Sequence, residues 1–184
     1  MKKLKLQVQM TIDGYISGIN GEMDWMIWNW DEELKKYVTE LTEPVDCILL
    51  GRKLAQGFIP HWASNPEEEG AYKINSTKKV VFSKTLEKSE WDNTIVVNGD
   101  FIEAINNLKK EVGKDLIVYG GGTFVASLIK AGLIDEFHLF VNPVILGHGM
   151  TIFNEVDKRQ ALKLVKSKAF ECGIVVLNYE LNKN

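Results

Sequence analysis

The sequence predicts an α/β fold in which helices cover a mostly parallel β-sheet. Up to about residue 141, short apolar segments alternate with helix-like amphipathic segments, which is typical of parallel strands joined by helices. After that point strand-like segments dominate, which indicates antiparallel strands at one edge of the sheet. The chain has 184 residues and is 45% apolar, enough to build one hydrophobic core. We therefore expect residues 1–184 to form a single domain.

The first half of the chain supplies five predicted elements. Leu4 to Met10 alternates between apolar and polar residues, which is the period of a strand. Asp31 to Leu41 has apolar residues at helical spacing, and Val45 to Leu50 is a short apolar run that indicates a buried strand. Glu67 to Ser76 is polar and predicts a short surface helix, and Lys79 to Ser83 predicts another strand.

The second half begins with a strand over Thr94 to Asn98 and a helix whose N-cap is Asp100. The predicted apolar face of that helix consists of Ile102, Ile105, Leu108 and Val112. A buried strand over 116–119 then runs into three glycines, and the helix that follows ends at Gly132. The last segments predict three longer strands, over 135–141, 161–170 and 174–181, the last two forming a hairpin.

Composition and charge exclude several classes of function. The net charge of -3 and the pI of about 5.7 give no basic face for nucleic acid or an acidic membrane. No apolar run approaches the roughly 18 residues of a membrane span. The amino terminus also lacks the apolar core of a signal peptide. We therefore expect a cytoplasmic protein whose partner is a small-molecule substrate, without nucleic-acid or membrane partners.

The cysteines and histidines indicate no metal site. Cys47 and Cys172 lie far apart, and none of the cysteines and histidines has metal-ligand spacing. We place His61 in a loop, within a variable segment over 56–76, and we expect His138 to have a structural role inside a strand.

The carboxyl ends of three predicted strands carry groups that bind phosphate. In chain order these groups are Gly51-Arg52-Lys53, then Ser83-Lys84-Thr85, then Gly120-Gly121-Gly122-Thr123. Cations, a hydroxyl group and bare N–H groups at a helix N-terminus all bind phosphate. Because ligands of open α/β sheets bind at this edge, the three groups together suit a ligand with several phosphates. NADPH, with its additional 2′-phosphate, fits that count better than NADH.

Two interpretations of the three consecutive glycines remain open. Glycine is costly to order, so the run serves either a tight strand-to-helix turn or the close approach of a ligand to the backbone. It is not a dinucleotide-binding fingerprint, because Val125 stands where that pattern needs its third glycine. Taken singly, Arg52, Lys53 and Lys84 fit solvated surface charges equally well.

A glycine-spaced segment rich in aromatic residues separates the first strand from the first helix. It starts with Asp13-Gly14 and is typical of a mobile flap over a pocket. Its tryptophans would pack against a flat heteroaromatic ligand or serve as core or dimer anchors; they are Trp25, Trp28 and Trp30. Glu33 begins the predicted helix, where a surface carboxylate stabilises the helix N-terminus.

Five segments occur in an order that indicates a known family. They are Thr11-Ile-Asp-Gly-Tyr-Ile16, Leu50-Gly-Arg-Lys53, Val81-Phe-Ser-Lys-Thr-Leu86, Val118-Tyr-Gly-Gly-Gly-Thr123 and Leu133 to Gly147. The combination resembles the dihydrofolate reductase-like superfamily. Within it, the chain is most similar to the C-terminal reductase domain of the riboflavin-biosynthesis bifunctional deaminase-reductase and its stand-alone bacterial relatives. The resemblance implies a three-layer α/β/α fold, with a mixed, mostly parallel sheet and antiparallel C-terminal strands.

The resemblance also implies roles for individual residues around a bound NADPH. Gly51, Arg52 and Lys53 would meet its phosphates, and Ser83 and Lys84 would bind the 2′-phosphate. The pyrophosphate would be held by Gly120, Gly121, Gly122 and Thr123. The nicotinamide and the substrate would be bordered by Thr11, Ile12 and Asp13. Glu33 falls where these reductases carry the acid that faces the substrate.

The expected function is therefore an NADPH-dependent reductase of a small polar heterocycle, pyrimidine- or pterin-like. It would be similar to 5-amino-6-(5-phosphoribosylamino)uracil reductase or dihydrofolate reductase, with Glu33 or Asp13 assisting proton delivery. Leu54 replaces the threonine that commonly follows the Gly-Arg pair in this superfamily. This departure supports an alternative, a non-catalytic nucleotide-binding protein that retains the NADPH site. A third interpretation is a structural dimerisation module without a ligand, and a homodimer is expected in each case.

Overall fold

An eight-stranded mixed sheet forms the centre of the fold in a computed structural model that describes residues 1–182. In chain order its strands are β1 (Leu4–Thr11), β2 (Val45–Gly51), β3 (Lys78–Phe82), β4 (Thr94–Val97), β5 (Asp115–Tyr119), β6 (Glu136–Asn142), β7 (Leu162–Ala169) and β8 (Val175–Leu181). They lie side by side in the order β4-β3-β2-β5-β1-β6-β8-β7. Strands β1 to β6 pair in parallel, and β8 pairs antiparallel with both β6 and β7. The predicted mostly parallel sheet with antiparallel C-terminal strands is confirmed.

Helices cover both faces of the sheet. They are α1 (Glu32–Thr42), α2 (Arg52–Ser64), α3 (Ala71–Ser76), α4 (Phe101–Lys110) and α5 (Gly122–Lys130). Apolar residues of α4 and α5 pack with the even-numbered residues of β1 in one core cluster. On the opposite face, α2 and α3 pack over β2, β3 and β5, and α1 packs over β6 and β8. This arrangement confirms the three-layer α/β/α fold that the resemblance implied.

The predicted helix caps are confirmed. The Asp100 carboxylate accepts hydrogen bonds from the backbone N–H groups of Ile102 at 2.8 Å and Glu103 at 3.4 Å. At the end of α5, Gly132 has a φ of 65°, and its N–H donates to the Ile129 carbonyl at 2.9 Å. Glycine adopts this left-handed conformation without the steric cost of a side chain, which explains why α5 ends there.

The segment over 56–76 was predicted to be variable loop, and that prediction was wrong. Helix α2 occupies its first part, through Ser64, and α3 its last part, from Ala71, so His61 lies in a helix and not in a loop. Gly57 and Pro60 disfavour a helix in isolation, but Ala55 and Ile59 are buried against the sheet. Tertiary packing therefore stabilises a helix that local propensity hides.

Two other boundaries were predicted inaccurately. Helix α3 begins at Ala71, because 65–70 form turns that end at Gly70 in the left-handed conformation with a φ of 88°. Helix α4 buries Ile105 and Leu108 as expected, but Ile102 is 41% exposed and Val112 lies beyond the helix, fully exposed. Helical spacing alone did not show that only the apolar residues in the middle of this helix are buried.

Residues 1–182 contain neither a membrane-spanning helix nor a cluster of metal-binding side chains. Over residues 1–182, no helix is long and apolar enough to cross a membrane. In the same range, no group of three or more His, Cys, Asp or Glu side chains is placed to hold a metal ion.

Candidate functional site

The carboxyl edge of the parallel strands contains a notch above β5. Strand β5 ends at Tyr119, which pairs with Gln7, whereas β1 continues alongside β6 as far as the pair Thr11–Asn142. The chain leaves β5 through the three glycines and enters α5 inside this notch. Ligands of open α/β sheets bind in the crevice outside the carboxyl ends of the parallel strands, which is where this notch lies.

Two helix N-termini meet in the notch, and neither has a side-chain cap. Gly51 is the N-cap of α2 and Gly121 is the N-cap of α5. A Cβ on Gly51 would lie 2.9 Å from Cβ of Phe124, so the packing of the two helix starts requires glycine there. Gly121 has a φ of 88°, which also favours glycine. The first-turn N–H groups of both helices have no intrahelical partner, and together they form an anion-binding surface.

Three cations lie at the same edge without an acidic partner. Within residues 1–182, no carboxylate lies within 4.0 Å of the side-chain nitrogens of Arg52, Lys53 or Lys84. Gly51 pairs with Phe82, so the turn that follows β3 lies next to the start of α2. Uncompensated positive charge beside two open helix N-termini fits a ligand that carries several phosphates.

The Ser83 side chain shapes the turn that presents Lys84. Ser83 is buried, and its hydroxyl oxygen accepts hydrogen bonds from the N–H groups of Thr85 at 3.1 Å and Leu86 at 2.8 Å. The Ser83 N–H donates to the Val97 carbonyl at 3.1 Å. Lys84 is therefore exposed on a turn that β4 and the serine hydroxyl hold in place.

The segment predicted as a mobile flap is fastened along its first half. Ile12 N–H donates to the Val144 carbonyl at 3.0 Å, Ile16 N–H to the Met150 carbonyl at 2.8 Å, and Met150 N–H to the Ser17 carbonyl at 2.9 Å. A Cβ on Gly122 would lie 3.4 Å from Ile16 and 3.5 Å from Met150, so the loops that contain these two residues pack against the glycine turn. The loop after β1 thus forms a fixed wall of the notch, next to the predicted cofactor residues.

Asp13 and Thr11 hold the wall together. The Thr11 hydroxyl donates to Asp13 Oδ1 at 2.6 Å, and the N–H groups of Leu146 and Gly147 donate to the same carboxylate at 3.3 and 2.7 Å. These hydrogen bonds, the one from Thr11 first, hold the pKa of Asp13 below its ordinary value. At neutral pH Asp13 is therefore ionised and engaged as an acceptor, whereas Ile12 beside it is 61% exposed.

Glu33 lies apart from the notch. Its carboxylate is 3.1 Å from Lys168 Nζ, on the edge strand β7, three strands away from β1. Asp31, the N-cap of α1, accepts a hydrogen bond from Cys172 N–H at 3.0 Å, which ties the start of α1 to the hairpin between β7 and β8. The Glu33 side chain is 70% exposed. The structure therefore brings together the predicted cofactor residues and leaves Glu33 near the hairpin.

A polar groove runs along β1 between α1 and α2, and sequence reasoning missed its residues. Gln7 pairs with Tyr119 of β5 on one side and His138 of β6 on the other. Tyr119 stacks on Phe58 of α2 at 5.3 Å, and His138 Nδ1 is 2.9 Å from the Tyr37 hydroxyl of α1. Each helix therefore covers the strand beside β1, and β1 lies along the line between them.

At the open end of this groove, Asn142 joins three parts of the chain. Its side-chain amide donates to Gln9 Oε1 at 2.8 Å, and its Oδ1 accepts from Ile27 N–H at 3.0 Å. Asn142 is completely buried, so these bonds fix the aromatic segment over 23–30 to β1 and β6. The sequence signal that was available is the polar side chains within β1, because polar residues in a central strand of a parallel sheet are buried and need partners.

The comparisons with known proteins indicate the family and support the fold. The family model described as the RibD C-terminal domain matches residues 2–176. The uncharacterized protein YyaP of Bacillus subtilis (strain 168) is 38% identical over 186 residues, which span 98% of this chain and 96% of YyaP.

Two solved structures share the fold. A structure from Shewanella sp. PV-4, described as a candidate riboflavin biosynthesis protein, has a TM-score of 0.75 and 22% identity, with 100% of both chains covered. A diaminohydroxyphosphoribosylaminopyrimidine deaminase/5-amino-6-(5-phosphoribosylamino)uracil reductase from Thermotoga maritima has a TM-score of 0.71 and 18% identity. Its match covers 98% of this chain and 57% of that protein.

Proposed function

This chain belongs to the RibD C-terminal domain family, and we propose that it is an NADPH-dependent reductase acting on a small polar heterocycle, pyrimidine- or pterin-like. One observation carries the cofactor assignment: two uncapped helix N-termini meet beside three cations that have no carboxylate partner within residues 1–182. The substrate class is supported by the uracil reductase activity in the name of the Thermotoga maritima relative. The description of the Shewanella sp. PV-4 relative as a riboflavin biosynthesis protein supports a link to that pathway.

Each part of the notch has a defined task in this proposal. The first-turn N–H groups of α2 and α5 would bind the pyrophosphate, together with Arg52 and Lys53. Lys84, on its serine-held turn, would pair with the 2′-phosphate. The wall formed by Thr11 and Ile12 would border the nicotinamide at the mouth of the groove along β1. When bound, NADPH supplies the hydride, and the protein supplies orientation and exclusion of water.

Replacing Lys84 with alanine tests the cofactor assignment. We expect the dissociation constant for NADPH to rise about 10- to 100-fold, the effect of losing one charge-assisted hydrogen bond, with little change for NADH. Energy transfer from tryptophan to the nicotinamide measures both affinities. Lys88→Ala is the matched control, because Lys88 is another exposed lysine a few residues further along the same segment. Equal weakening of NADPH and NADH by Lys84→Ala would contradict the assignment.

A second candidate, a non-catalytic nucleotide-binding protein, is favoured by the positions of the two acids. Asp13 is occupied by loop hydrogen bonds, and Glu33 is exposed and paired with Lys168. Neither is an unpaired acid inside the groove. Turnover of any heterocyclic acceptor with NADPH would exclude this candidate.

Glu33→Gln tests whether Glu33 assists proton delivery or only forms an exposed ion pair with Lys168. If Glu33 assists proton delivery, kcat falls at least about a hundredfold while NADPH affinity is unchanged, because a positioned general acid contributes that much. Because Glu33 is exposed and paired with Lys168, we expect kcat to fall by less than about a hundredfold. The control is Glu32→Gln, since Glu32 is its exposed neighbour and pairs with Lys35.

A homodimer is also proposed, on the evidence of β7. Strand β7 lies at one of the two edges of the sheet, and its Leu164 and Val165 are each 50% exposed. Edge strands with exposed apolar residues are templates for pairing with another chain. Sedimentation velocity should show a dimer for the unmodified chain and a monomer for the Leu164→Lys variant; a monomer for both would contradict the proposal.

A further inference from the structure

The groove along β1 contains a buried amide oxygen without a partner. Gln7 is only 8% exposed, and its Oε1 accepts no hydrogen bond in the described chain. An unpaired buried acceptor costs free energy, so native proteins retain few of them, and each is a place that a water molecule or a ligand can satisfy. The next polar side chain towards the open end, Gln9, already receives the Asn142 amide.

The position of Gln7 places this oxygen at the inner end of the groove. Its pairing partners on the two neighbouring strands are each covered by a different helix, Tyr119 by α2 and His138 by α1. Adjacent strands lie about 4.8 Å apart, so the axes of these two covered strands are roughly 10 Å apart, and Gln7 lies on the strand between them.

The charges on the same face are already neutralised. One step towards the amino end of β1, Lys5 pairs with Asp115 at 3.2 Å and Glu136 pairs with Lys3 at 2.6 Å. Among the described residues on this row, the Gln7 carboxamide and the Tyr119 hydroxyl remain for a ligand, and burial raises the pKa of Tyr119. The inner groove is therefore suited to a neutral ligand and not to a cation.

We propose that Gln7 determines substrate specificity by pairing its carboxamide with a lactam edge, the adjacent N–H and C=O groups of a neutral pyrimidine or pterin ring. Oε1 accepts the ring N–H, and the amide nitrogen donates to the ring carbonyl. A site built to hydrogen-bond one edge discriminates strongly against an analogue with a different donor pattern, because its buried groups are then left unpaired. This inference rests on the proposed function and adds the protonation state and donor pattern of the substrate.

Two pyrimidines with the same ring test the inference. 5,6-Diaminouracil presents a lactam edge, whereas 2,4,5,6-tetraaminopyrimidine presents amino groups and ring nitrogens in its place. Binding of each is measured by isothermal titration, with and without NADPH. We expect the unmodified protein to prefer diaminouracil by about tenfold or more, and Gln7→Met to abolish the preference. Gln7→Glu should reverse it, because a carboxylate pairs bidentately with the protonated diaminopyrimidine.

Asn178→Leu is the matched control. Asn178 lies on the same cross-strand row as Gln7 and also has a buried Oδ1 without a partner, but it lies on the far side of the Tyr37–His138 contact. The Asn178→Leu variant should keep the preference for diaminouracil over tetraaminopyrimidine. Thermal unfolding establishes that each variant is folded, and Gln7→Met decides the question if Gln7→Glu does not fold.

The outcomes separate this inference from the proposed function. Equal binding of the two pyrimidines, binding of neither by the NADPH-loaded protein, or an unchanged preference in Gln7→Met would overturn it. An Asn178→Leu variant that loses the preference as fully as Gln7→Met would overturn it as well. A fluorescence titration of the same samples with NADPH tests the proposed function separately, since Gln7 lies outside the phosphate-binding notch.

Discussion

Replacing Gly149 with alanine is expected to destabilise the protein by about 2–3 kcal/mol, the cost of forcing an extra carbon into a filled position. The added Cβ would lie 2.2 Å from the backbone oxygen of Ser17 and 3.3 Å from the Tyr15 ring. The Ser17 oxygen cannot move away freely, because it accepts a hydrogen bond from Met150 N–H at 2.9 Å. A second backbone hydrogen bond joins Ile16 N–H to the Met150 carbonyl. Relieving this clash therefore requires the loop after β1, which contains Ser17, to separate from the loop that contains Met150.

The same substitution should also weaken NADPH binding. Ile16 and Met150 contact the position of Gly122, so separation of the loops removes one side of the glycine turn. Urea unfolding followed by tryptophan fluorescence measures the stability, and an NADPH titration measures the affinity. Gly57→Ala is the control: apart from its chain neighbours and the backbone of its own helix, no atom lies within 4 Å of the added Cβ, and alanine in this helix should stabilise the protein by about 0.5–1 kcal/mol. A Gly149→Ala variant as stable as the parent protein would show that the wall is not rigid.

Acid should destabilise the protein through Glu136. The hydrogen bond from His138, then the ion pair with Lys3, lowers the pKa of Glu136 from 4.5 to about 2, against the opposing effect of burial. A carboxyl with a depressed folded-state pKa stabilises the protein fully above its unfolded pKa of 4.5 and progressively less as the pH falls towards 2. We expect this group to contribute a loss of about 2 kcal/mol between pH 6 and pH 3.

The measurement compares Glu136→Gln with the unmodified chain in urea at several pH values. The glutamine keeps the size and hydrogen-bonding capacity of the side chain but cannot titrate. The variant should therefore be the less stable protein at pH 6 and should approach the parent at pH 3. Asp13 and Asp31, whose pKa values are also lowered, titrate in both proteins and cancel in the difference. Parallel stability curves for the two proteins would contradict the role of Glu136.

Much of the site could be predicted because its parts are local. The glycines and cations that follow β2, β3 and β5 are contiguous in the chain, and the rule that ligands bind at the carboxyl ends of parallel strands brings them together. Asp100 and Gly132 were assigned correctly for the same reason, since a cap depends on residues within one turn. Their roles towards NADPH stay predictions until binding is measured.

The sequence by itself determined the alternation of strands and helices, the helix caps and the position of the phosphate-binding edge, because each depends on neighbouring residues. Only the tertiary structure decided which polar side chains are buried and what they contact. Gln9 meets Asn142 across 133 residues of chain, and Tyr37 meets His138 across 101. Such contacts follow from strand order, which no local periodicity records. The same strand order placed Glu33 beside Lys168 and left Gln7 unpaired at the inner end of the groove.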